Sequence, residues 1–345
     1  MIVKKLKSIE LIPKANGKEA VLLRMDLDLD VPGPDYSRLI KSVPTIKILI
    51  EKGYIVIITG HKGRPKNQEE KFSLKPAYSK LIEILTTNGI EGNSTFIKSI
   101  TDKESIIQAL LTNKIIFAEN LRFDSREKAG DTSLLSIVKL FCSYYVNDAF
   151  AVAHRNDASI KIHQEFGAKT YYGLDFVKEV ERINFLKQQK GWLVALGGAK
   201  EDKLKNLVEI ASKSQAVFIG GKLPTYKETF GKIPNVFWAN LNEDGCDLSN
   251  DDISTLKTLI TLCPTIIWAG ALGKFEEDRY KNGTNEIANA IAESHATYKA
   301  IAGGDTAASV IDLELESYID DIYSGGGVFL ELLVTDDLPA WTNSL

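Results

Sequence analysis

The chain has 345 residues, which is enough for about two domains, and 44% of them are apolar. Its net charge of −4 at pH 7 excludes a generally basic nucleic-acid-binding protein, so any anion site must be local. Three scattered cysteines and four histidines show no zinc-site spacing. The sequence shows neither a signal peptide nor an apolar run long enough to span a membrane. Together with the sparse cysteines, this predicts a soluble, cytoplasmic protein.

Short apolar segments alternate with helix-like stretches, which predicts β–α units and parallel sheets. A first helix is expected to begin at Pro44 and end at Gly53, and an amphipathic helix over 173–192 divides the chain into two similar halves. The predicted fold class is therefore α/β, with two doubly wound, Rossmann-like parallel-sheet domains joined by an interdomain helix. Ten strands are predicted, at 20–24, 54–59, 114–118, 144–146, 193–196, 216–219, 235–238, 265–268, 299–302 and 321–323.

Basic residues follow the strands of the first half, where the carboxyl ends of parallel strands form one edge. Any one of them could be a loop residue paired with a carboxylate, but their recurrence after four successive strands favours a pocket for a small polyanion. Asp26 and Asp28 could hold hydroxyl groups of the same ligand. The basic set is Arg24, Arg38, His61, Arg64, Arg122, His154 and Arg155.

Glycine clusters follow the strands of the second half, and each alone is often only a tight turn. Together they are expected to leave backbone N–H groups free for phosphates. Lys200 and Lys203 are three residues apart and could reach one anion, Asp305 could bind a Mg²⁺–phosphate complex, and Glu276 could accept a hydrogen bond from a ribose hydroxyl. Neither a Walker loop nor a dinucleotide-binding fingerprint is present.

The motifs that carry these residues are similar to those of the phosphoglycerate kinase family over nearly the whole chain. The first half has RMDLDLDVP (24–32), GHKGRP (60–65), KFSLKP (71–76), ENLRF (119–123) and YVNDAFAVAHR (145–155). The second half has GGAK (197–200), IGG (219–221), IIWAGALGKFE (266–276), AGGDT (302–306) and SGGGVFLELL (324–333).

The resemblance implies Mg²⁺-dependent phosphoryl transfer in glycolysis between 1,3-bisphosphoglycerate with ADP and 3-phosphoglycerate with ATP, by a monomer whose domains close about a hinge. It implies an acid-binding domain at 1–172, an interdomain helix at 173–192, a nucleotide-binding domain at 193–327 and a C-terminal segment, 328–345, returning to the first domain. The implied partners are these small molecules only, with no nucleic acid or membrane.

The resemblance also implies residue roles. Arg38 and Lys200 correspond to the catalytic pair that steadies the transferring phosphoryl group, and Asp305 to the metal-associated aspartate. The acid-binding set is Asp26, Asp28, Arg38, His61, Arg64, Arg122 and Arg155. The nucleotide-binding set is Gly197, Gly198, Lys200, Lys203, Gly220, Gly221, Gly273, Glu276, Gly303, Gly304, Asp305 and Thr306.

The chain departs from the family mainly in its second half. It is several tens of residues shorter than typical members, with the loss placed between 219–230 and the strand at 265–268. Lys222 replaces a third glycine, Lys274 stands at a usually apolar position, and Asp28 replaces an asparagine. Two alternatives stay open: a kinase with altered nucleotide or acceptor preference, and a non-catalytic protein that keeps the acid pocket. A dehydrogenase is disfavoured by the missing fingerprint.

Overall fold

The computed structural model describes residues 6–33, 35–323 and 325–341. These residues divide into two compact units. The N-terminal unit contains the described residues up to Val180 together with 337–341, and the C-terminal unit contains 181–336 with the gap at 324. The division along the chain falls inside the helix Leu174–Gln188. The last four residues of the predicted C-terminal segment, 342–345, lie outside the described residues.

The N-terminal unit is built on a six-stranded sheet with all neighbouring strands parallel, in the order β3-β4-β2-β1-β5-β6. Successive strands extend from β1 in one direction and then, from β5, in the other. The carboxyl ends of β1 and β5 therefore form a topological switch point, which is where open α/β sheets bind ligands. The strands are β1 Ala20–Met25, β2 Ile55–Thr59, β3 Ser94–Ile97, β4 Ile115–Ala118, β5 Cys142–Asp148 and β6 Thr170–Tyr172.

The C-terminal unit repeats this plan with a second parallel six-stranded sheet, in the order β12-β11-β10-β7-β8-β9. Its switch point lies between β7 and β10, where Leu196 pairs with Ala269 at the carboxyl ends. The strands are β7 Trp192–Leu196, β8 Ala216–Ile219, β9 Val236–Trp238, β10 Thr265–Ala269, β11 Tyr298–Ala302 and β12 Asp321–Tyr323. The predicted fold class is confirmed, and the two added strands, β3 and β6, are edges of the first sheet.

Helices cover the sheets and bury their apolar faces. On β1, Val21 and Leu23 pack into one core while Ala20 and Leu22 pack into another, as expected for side chains that alternate across a strand. The α-helices are α1 Ser37–Glu51, α2 Lys75–Thr87, α3 Lys103–Thr112, α4 Ser125–Ala129, α5 Ser136–Lys139, α6 Ala158–Lys161, α7 His163–Phe166, α8 Leu174–Gln188, α9 Leu207–Lys213, α10 Lys227–Phe230, α11 Asn250–Leu262, α12 Asn282–Glu293, α13 Gly304–Asp312 and α14 Gly326–Val334.

The predicted start of the first helix was wrong. Helix α1 begins at Ser37, so Pro44 lies inside it and not at its first turn. Proline removes one hydrogen bond, to the carbonyl four residues earlier, and that residue, Ile40, is on the exposed side of the helix. The apolar residues Leu39, Val43 and Ile46 bury the opposite face, which holds the helix together through the proline.

The last described residues of the predicted C-terminal segment pack within the N-terminal unit. Residues 337–341 lie in the N-terminal unit, where Trp341 is buried against Phe176 and the Ala340 carbonyl accepts a 3.0 Å hydrogen bond from the Tyr172 hydroxyl.

Within the described part of the chain, no helix combines the length and apolarity needed to cross a lipid bilayer.

Candidate functional site

The carboxyl edge of the first sheet gathers the basic residues predicted for the anion pocket. Arg24 lies near the end of β1, opposite Thr59 on β2 and Asn147 on β5, and His61 follows β2 by two residues. The positive charges of Arg24, Arg122, Arg155 and Arg38 all act on His61, and Arg64 acts on Arg155. Five of the predicted arginines and His61 therefore act on one another at this edge of the sheet, while a place for His154 in the cluster stays a prediction.

The arginines differ in how far protein carboxylates already neutralise them. Arg38 contacts Asp26 at 3.1 Å with about a third of its side chain exposed, and buried Arg122 pairs with Asp157 at 3.1 Å. Arg122 also donates to the Gly63 carbonyl at 2.7 Å. Partial compensation of this kind lets several cations share a small space before a ligand arrives.

Arg155 and Asp28 complete the edge. Burial and the neighbouring charge of Arg122 lower the pKa of half-buried Arg155, which a bound anion would relieve. Asp28 is exposed, and its carboxylate accepts a 2.8 Å hydrogen bond from the Gly63 backbone N–H. The Asp28 carboxylate thus helps to fix the loop that carries Arg64.

His61 is a neutral side chain in this setting. It is 1% exposed, and burial together with the surrounding guanidinium charges holds its pKa well below its usual value. It therefore takes part in the pocket as a hydrogen-bonding group and adds no charge.

A group of ligand atoms from His61, Glu127 and Asp157 lies within 4.8 Å of one another, a spacing that could suit a metal ion. Both Glu127 oxygens accept hydrogen bonds from Ser159, at 2.6 and 2.9 Å, and Asp157 is paired with Arg122. Two guanidinium groups, of Arg24 and Arg122, contact members of the group. Because these charges repel cations, we regard the group as support for the arginines.

The carboxyl edge of the second sheet is formed by glycine loops that bond to one another. Gly197 and Gly198 donate their N–H groups to the carbonyls of Ala269 and Ala271, at 3.1 and 2.8 Å. Gly220, Gly221 and Gly303 likewise donate to Leu196, Leu272 and Tyr323. The prediction that the N–H groups of these five glycines are free for phosphate is therefore wrong, although their place at the nucleotide edge stays a prediction.

Close approach of the loops explains why glycine is needed there. At Gly270, where φ is +104°, a Cβ would lie 2.2 Å from Lys203 Nζ and 2.3 Å from the Gly197 carbonyl oxygen. A Cβ at Gly197 would lie 2.2 Å from the Ala271 carbonyl oxygen. These glycines allow the loops that follow β7 and β10 to pack together at the switch point.

The first turn of α13 lies at this edge and begins directly after Gly303. Gly304, Asp305 and Thr306 occupy that turn, and the first hydrogen bond within the helix is made by Ala307 to the Gly303 carbonyl. N–H groups at a helix start lack intrahelical partners and favour anions. Buried Thr306 ties the turn to the next loop by accepting a 2.7 Å hydrogen bond from Gly270 N–H.

The two lysines predicted to share one anion lie in different surroundings. Lys203 extends from a 3-10 turn, Glu201–Leu204, and donates a 2.7 Å hydrogen bond to the Gly197 carbonyl. Burial lowers its pKa, with Asp305 and Asp202 acting in the opposite direction. Lys200, which precedes the turn, is exposed.

A cavity of about 290 Å³ opens beside these loops. Asp305 and Glu276, both exposed, line it, so their carboxylates are accessible to a ligand. Gly273 lines it as well, and a Cβ there would meet Asp247 Oδ1 at 2.3 Å. Lys222, Lys274 and Cys246 also line the cavity, and the last belongs to the short segment that follows β9. Two of the residues predicted to depart from the family's pattern, Lys222 and Lys274, therefore line this cavity.

Sequence reasoning missed the buried acidic partners of the arginine cluster. Glu127 lies in α4 and Asp157 and Ser159 at the start of α6, and all are at least 90% buried. Nothing local distinguishes Glu127 from the surface charges around it, because Arg24, the cation that it compensates, is far away in the chain. For the second pair, Arg122 with Asp157, the available signal was the polar segment AHRNDAS at 153–159, which contains Asp157.

Comparison with known proteins identifies the family of the chain. The family model for phosphoglycerate kinase matches residues 14–236 and 227–336. The chain belongs to the phosphoglycerate kinase family. The two matched segments overlap at 227–236, next to the region between 230 and 265 where the sequence predicts that the chain is shortened.

Relatives in the family extend over most of the chain. It is 30% identical to phosphoglycerate kinase of Hydrogenobaculum sp., covering 92% of this chain and 94% of that one, and 30% identical to that of Leptospira biflexa, covering 96% and 97%. The alignments span 377 and 390 positions, more than the 345 residues present here, so the relatives carry residues that this chain lacks. The fold matches the structure of phosphoglycerate kinase from Coxiella burnetii with a TM-score of 0.75, at 24% identity and 98% coverage of both chains.

Proposed function

We propose that the chain is an active phosphoglycerate kinase, which transfers a phosphoryl group reversibly between Mg·ATP and the carboxylate of 3-phosphoglycerate in glycolysis. The arginine cluster at the first switch point carries the proposal, since it combines several guanidinium groups with one neutral histidine at an edge suited to a small polyanion. Family membership supports the assignment of that anion to a phosphorylated acid.

The acid would bind to the arginines whose positive charge is least neutralised by carboxylates of the protein. Arg155 and Arg64 provide such charges, and their planar donor groups match phosphate and carboxylate oxygens. Arg38 is held by Asp26 at 3.1 Å but keeps about a third of its side chain exposed, so it can also reach a ligand. His61, Arg122, Asp26 and Asp28 complete the proposed acid site.

The nucleotide would bind at the second switch point. The first turn of α13 offers N–H donors to phosphate oxygens, and Glu276 in the cavity offers an acceptor to a sugar hydroxyl. Asp305 fits a Mg²⁺ site because its accessible carboxylate adjoins the phosphate-binding turn, and Mg²⁺ is commonly held by one or two carboxylates plus phosphate and water. When bound, Mg²⁺ would neutralise phosphate oxygens there.

The chemistry would need alignment and charge, and no general base. A carboxylate acceptor is ionised near neutral pH, so it attacks the terminal phosphorus directly. The transferring group carries negative charge on its equatorial oxygens, which Lys200 and Arg38 are proposed to stabilise. That requirement agrees with sites built from arginine, lysine and helix N–H groups.

Altered nucleotide preference is the second candidate, because Lys222 and Lys274 bring two ammonium groups to the cavity. Competition between ATP and GTP decides it: retained preference for ATP counts against this candidate.

A coupled assay of 3-phosphoglycerate-dependent ATP consumption with Mg²⁺, beside Lys200→Ala, tests the main proposal. Turnover in the wild type that is lost in the variant is expected. No turnover despite acid binding would indicate another nucleotide or a non-catalytic protein. The proposal includes a monomer in the cytoplasm, which analytical ultracentrifugation and cell fractionation would test.

A further inference from the structure

Four buried side chains form a continuous hydrogen-bonded chain beneath the acid edge. Glu127 accepts from the Ser159 hydroxyl at 2.6 Å and from the Ser159 N–H at 2.9 Å. The Ser159 oxygen accepts from Arg24 Nε at 2.8 Å, and Arg24 Nη2 lies 2.6 Å from His61 Nδ1. Each of the four residues is at most 1% exposed, so water does not compete for these bonds.

The donors and acceptors in this chain can run in only one direction. A guanidinium group has no acceptor, so Arg24 donates at both of its contacts. The Ser159 hydroxyl therefore donates its hydrogen bond to Glu127, and His61 Nδ1 accepts the hydrogen bond from Arg24. The ring proton of His61 must then be on Nε2, since a neutral imidazole carries one proton and a charged one would carry two.

The far nitrogen of His61 is the open end of the chain. Nε2 is buried and forms no hydrogen bond with any of the described residues. The positive charges of Arg38, Arg122 and Arg155, which belong to the proposed acid site, act on the ring. A buried donor without a partner is unfavourable, so a ligand oxygen at this edge would satisfy it.

The acidic end of the chain explains how the basic end is held. Arg24 is completely buried, and a buried cation requires a negative partner. Glu127 is linked to Arg24 through the Ser159 hydroxyl, at the end of the chain opposite to His61. Burial raises the pKa of this carboxyl group, while the charge of Arg24 acts against that rise and favours the charged form. Loss of the carboxylate would leave Arg24 without its balancing charge and free to turn from the histidine.

We propose that Glu127 and Ser159 are positioning residues of the acid site, which anchor Arg24 so that His61 presents a neutral Nε2–H donor to an oxygen of the bound acid. The identity of that acid rests on the proposed function. Neither residue contacts the ligand, so their effect is transmitted through Arg24 and His61.

The test uses Glu127→Gln, which removes the charge at nearly constant shape, and Ser159→Ala, which removes the hydroxyl link. Leu81→Ala is the control, because Leu81 is fully buried in the same unit but takes no part in the chain. Nitrogen-15 spectra of the imidazoles identify the tautomer of each of the four histidines, and His61→Gln assigns the signal. Calorimetry with 3-phosphoglycerate and, separately, Mg·ATP measures the two affinities.

The wild type should show a neutral, Nε2-protonated His61 at pH 7. Both variants should disturb that signal and weaken 3-phosphoglycerate binding by about tenfold or more, the effect of losing one hydrogen bond to a charged group, with Mg·ATP affinity unchanged. Leu81→Ala should alter neither quantity while lowering thermal stability. An Nδ1-protonated or charged His61 in the wild type overturns the inference, as does acid binding within twofold of wild type in folded variants.

Failure of the proposed function gives a different result. A wild type that does not bind 3-phosphoglycerate contradicts the assigned substrate. The ring signal still decides the positioning role: its change in Glu127→Gln supports the role, and an unchanged Nε2-protonated signal in both variants overturns it.

Discussion

Lys203 Nζ donates a 2.7 Å hydrogen bond to the carbonyl oxygen of Gly197, at the point where the glycine loops of the C-terminal unit meet. Its ammonium group fills the space that a Cβ on Gly270 would need, 2.2 Å away. Lys200, three residues earlier, is exposed. The two lysines thus differ: Lys203 joins two loops, whereas the side chain of Lys200 is free to move to a ligand.

This separation predicts different effects for the two alanine variants. Lys200→Ala should lower kcat by about 100-fold or more with unchanged melting temperature, because it removes charge stabilisation in the transition state only. Lys203→Ala should lower the free energy of unfolding by about 1 kcal/mol and raise the nucleotide KM. Steady-state kinetics and thermal melting measure both, with exposed Lys227→Ala as the control. An unmoved nucleotide KM in Lys203→Ala would show that this lysine is outside the site.

Arg38 should matter to turnover more than to nucleotide affinity. Arg38→Ala is expected to reduce kcat by about 100-fold, with nucleotide affinity within twofold of wild type. Arg126→Ala is a matched control, since Arg126 has a similar exposure and is also paired with an aspartate, Asp124 at 2.7 Å. Unchanged kcat in Arg38→Ala would rule out its proposed role.

Asp305 should set the Mg²⁺ requirement. Asp305→Asn removes the carboxylate beside the first turn of α13, so the Mg²⁺ concentration for half-maximal turnover should rise by about tenfold. Asp312→Asn, exposed at the other end of the same helix, should leave it unchanged. Titration of activity with Mg²⁺ at saturating substrates measures the effect, and equal Mg²⁺ curves for Asp305→Asn and wild type would exclude the assignment.

Buried Asp148 should make the protein less stable as the pH rises from about 4 to about 6. Burial raises the pKa of Asp148 to about 6, well above the usual range of an aspartate, so the folded protein binds this proton more tightly than the unfolded chain. Its contribution to stability is therefore lost as pH rises from about 4 to about 6 and is constant above. Asp148→Asn should be more stable than wild type at pH 7, by up to about 3 kcal/mol, with no gain at pH 4. Urea unfolding across this range measures the difference, and a gain that grows toward low pH would contradict the burial effect.

Most of the fold follows from the alternation of apolar strands and amphipathic helices. All ten predicted strands are present, whereas β3 and β6 are short edge strands whose sequences, STFI and TYY, lack a long apolar run. Pro44 misled the helix start because packing of one apolar face outweighs a single missing hydrogen bond.

The candidate site was predictable where function requires particular residue types after strands, as with Arg24, His61 and Asp305. Its internal bonding was not. Glu127 and Ser159 are more than 100 residues from Arg24, and the glycine N–H groups are occupied by carbonyls of loops distant in sequence. Such pairings depend on the register of the sheets, which local sequence patterns do not determine.

The most direct test of the account is to trap the product of phosphoryl transfer. The enzyme is incubated with 3-phosphoglycerate, Mg·ATP and hydroxylamine, which converts an acyl phosphate to a hydroxamate. Hydroxamate that forms only with the acid and wild-type protein, and not with Lys200→Ala, is the predicted result. ADP without hydroxamate, or no reaction with either ATP or GTP, would contradict transfer to the carboxylate.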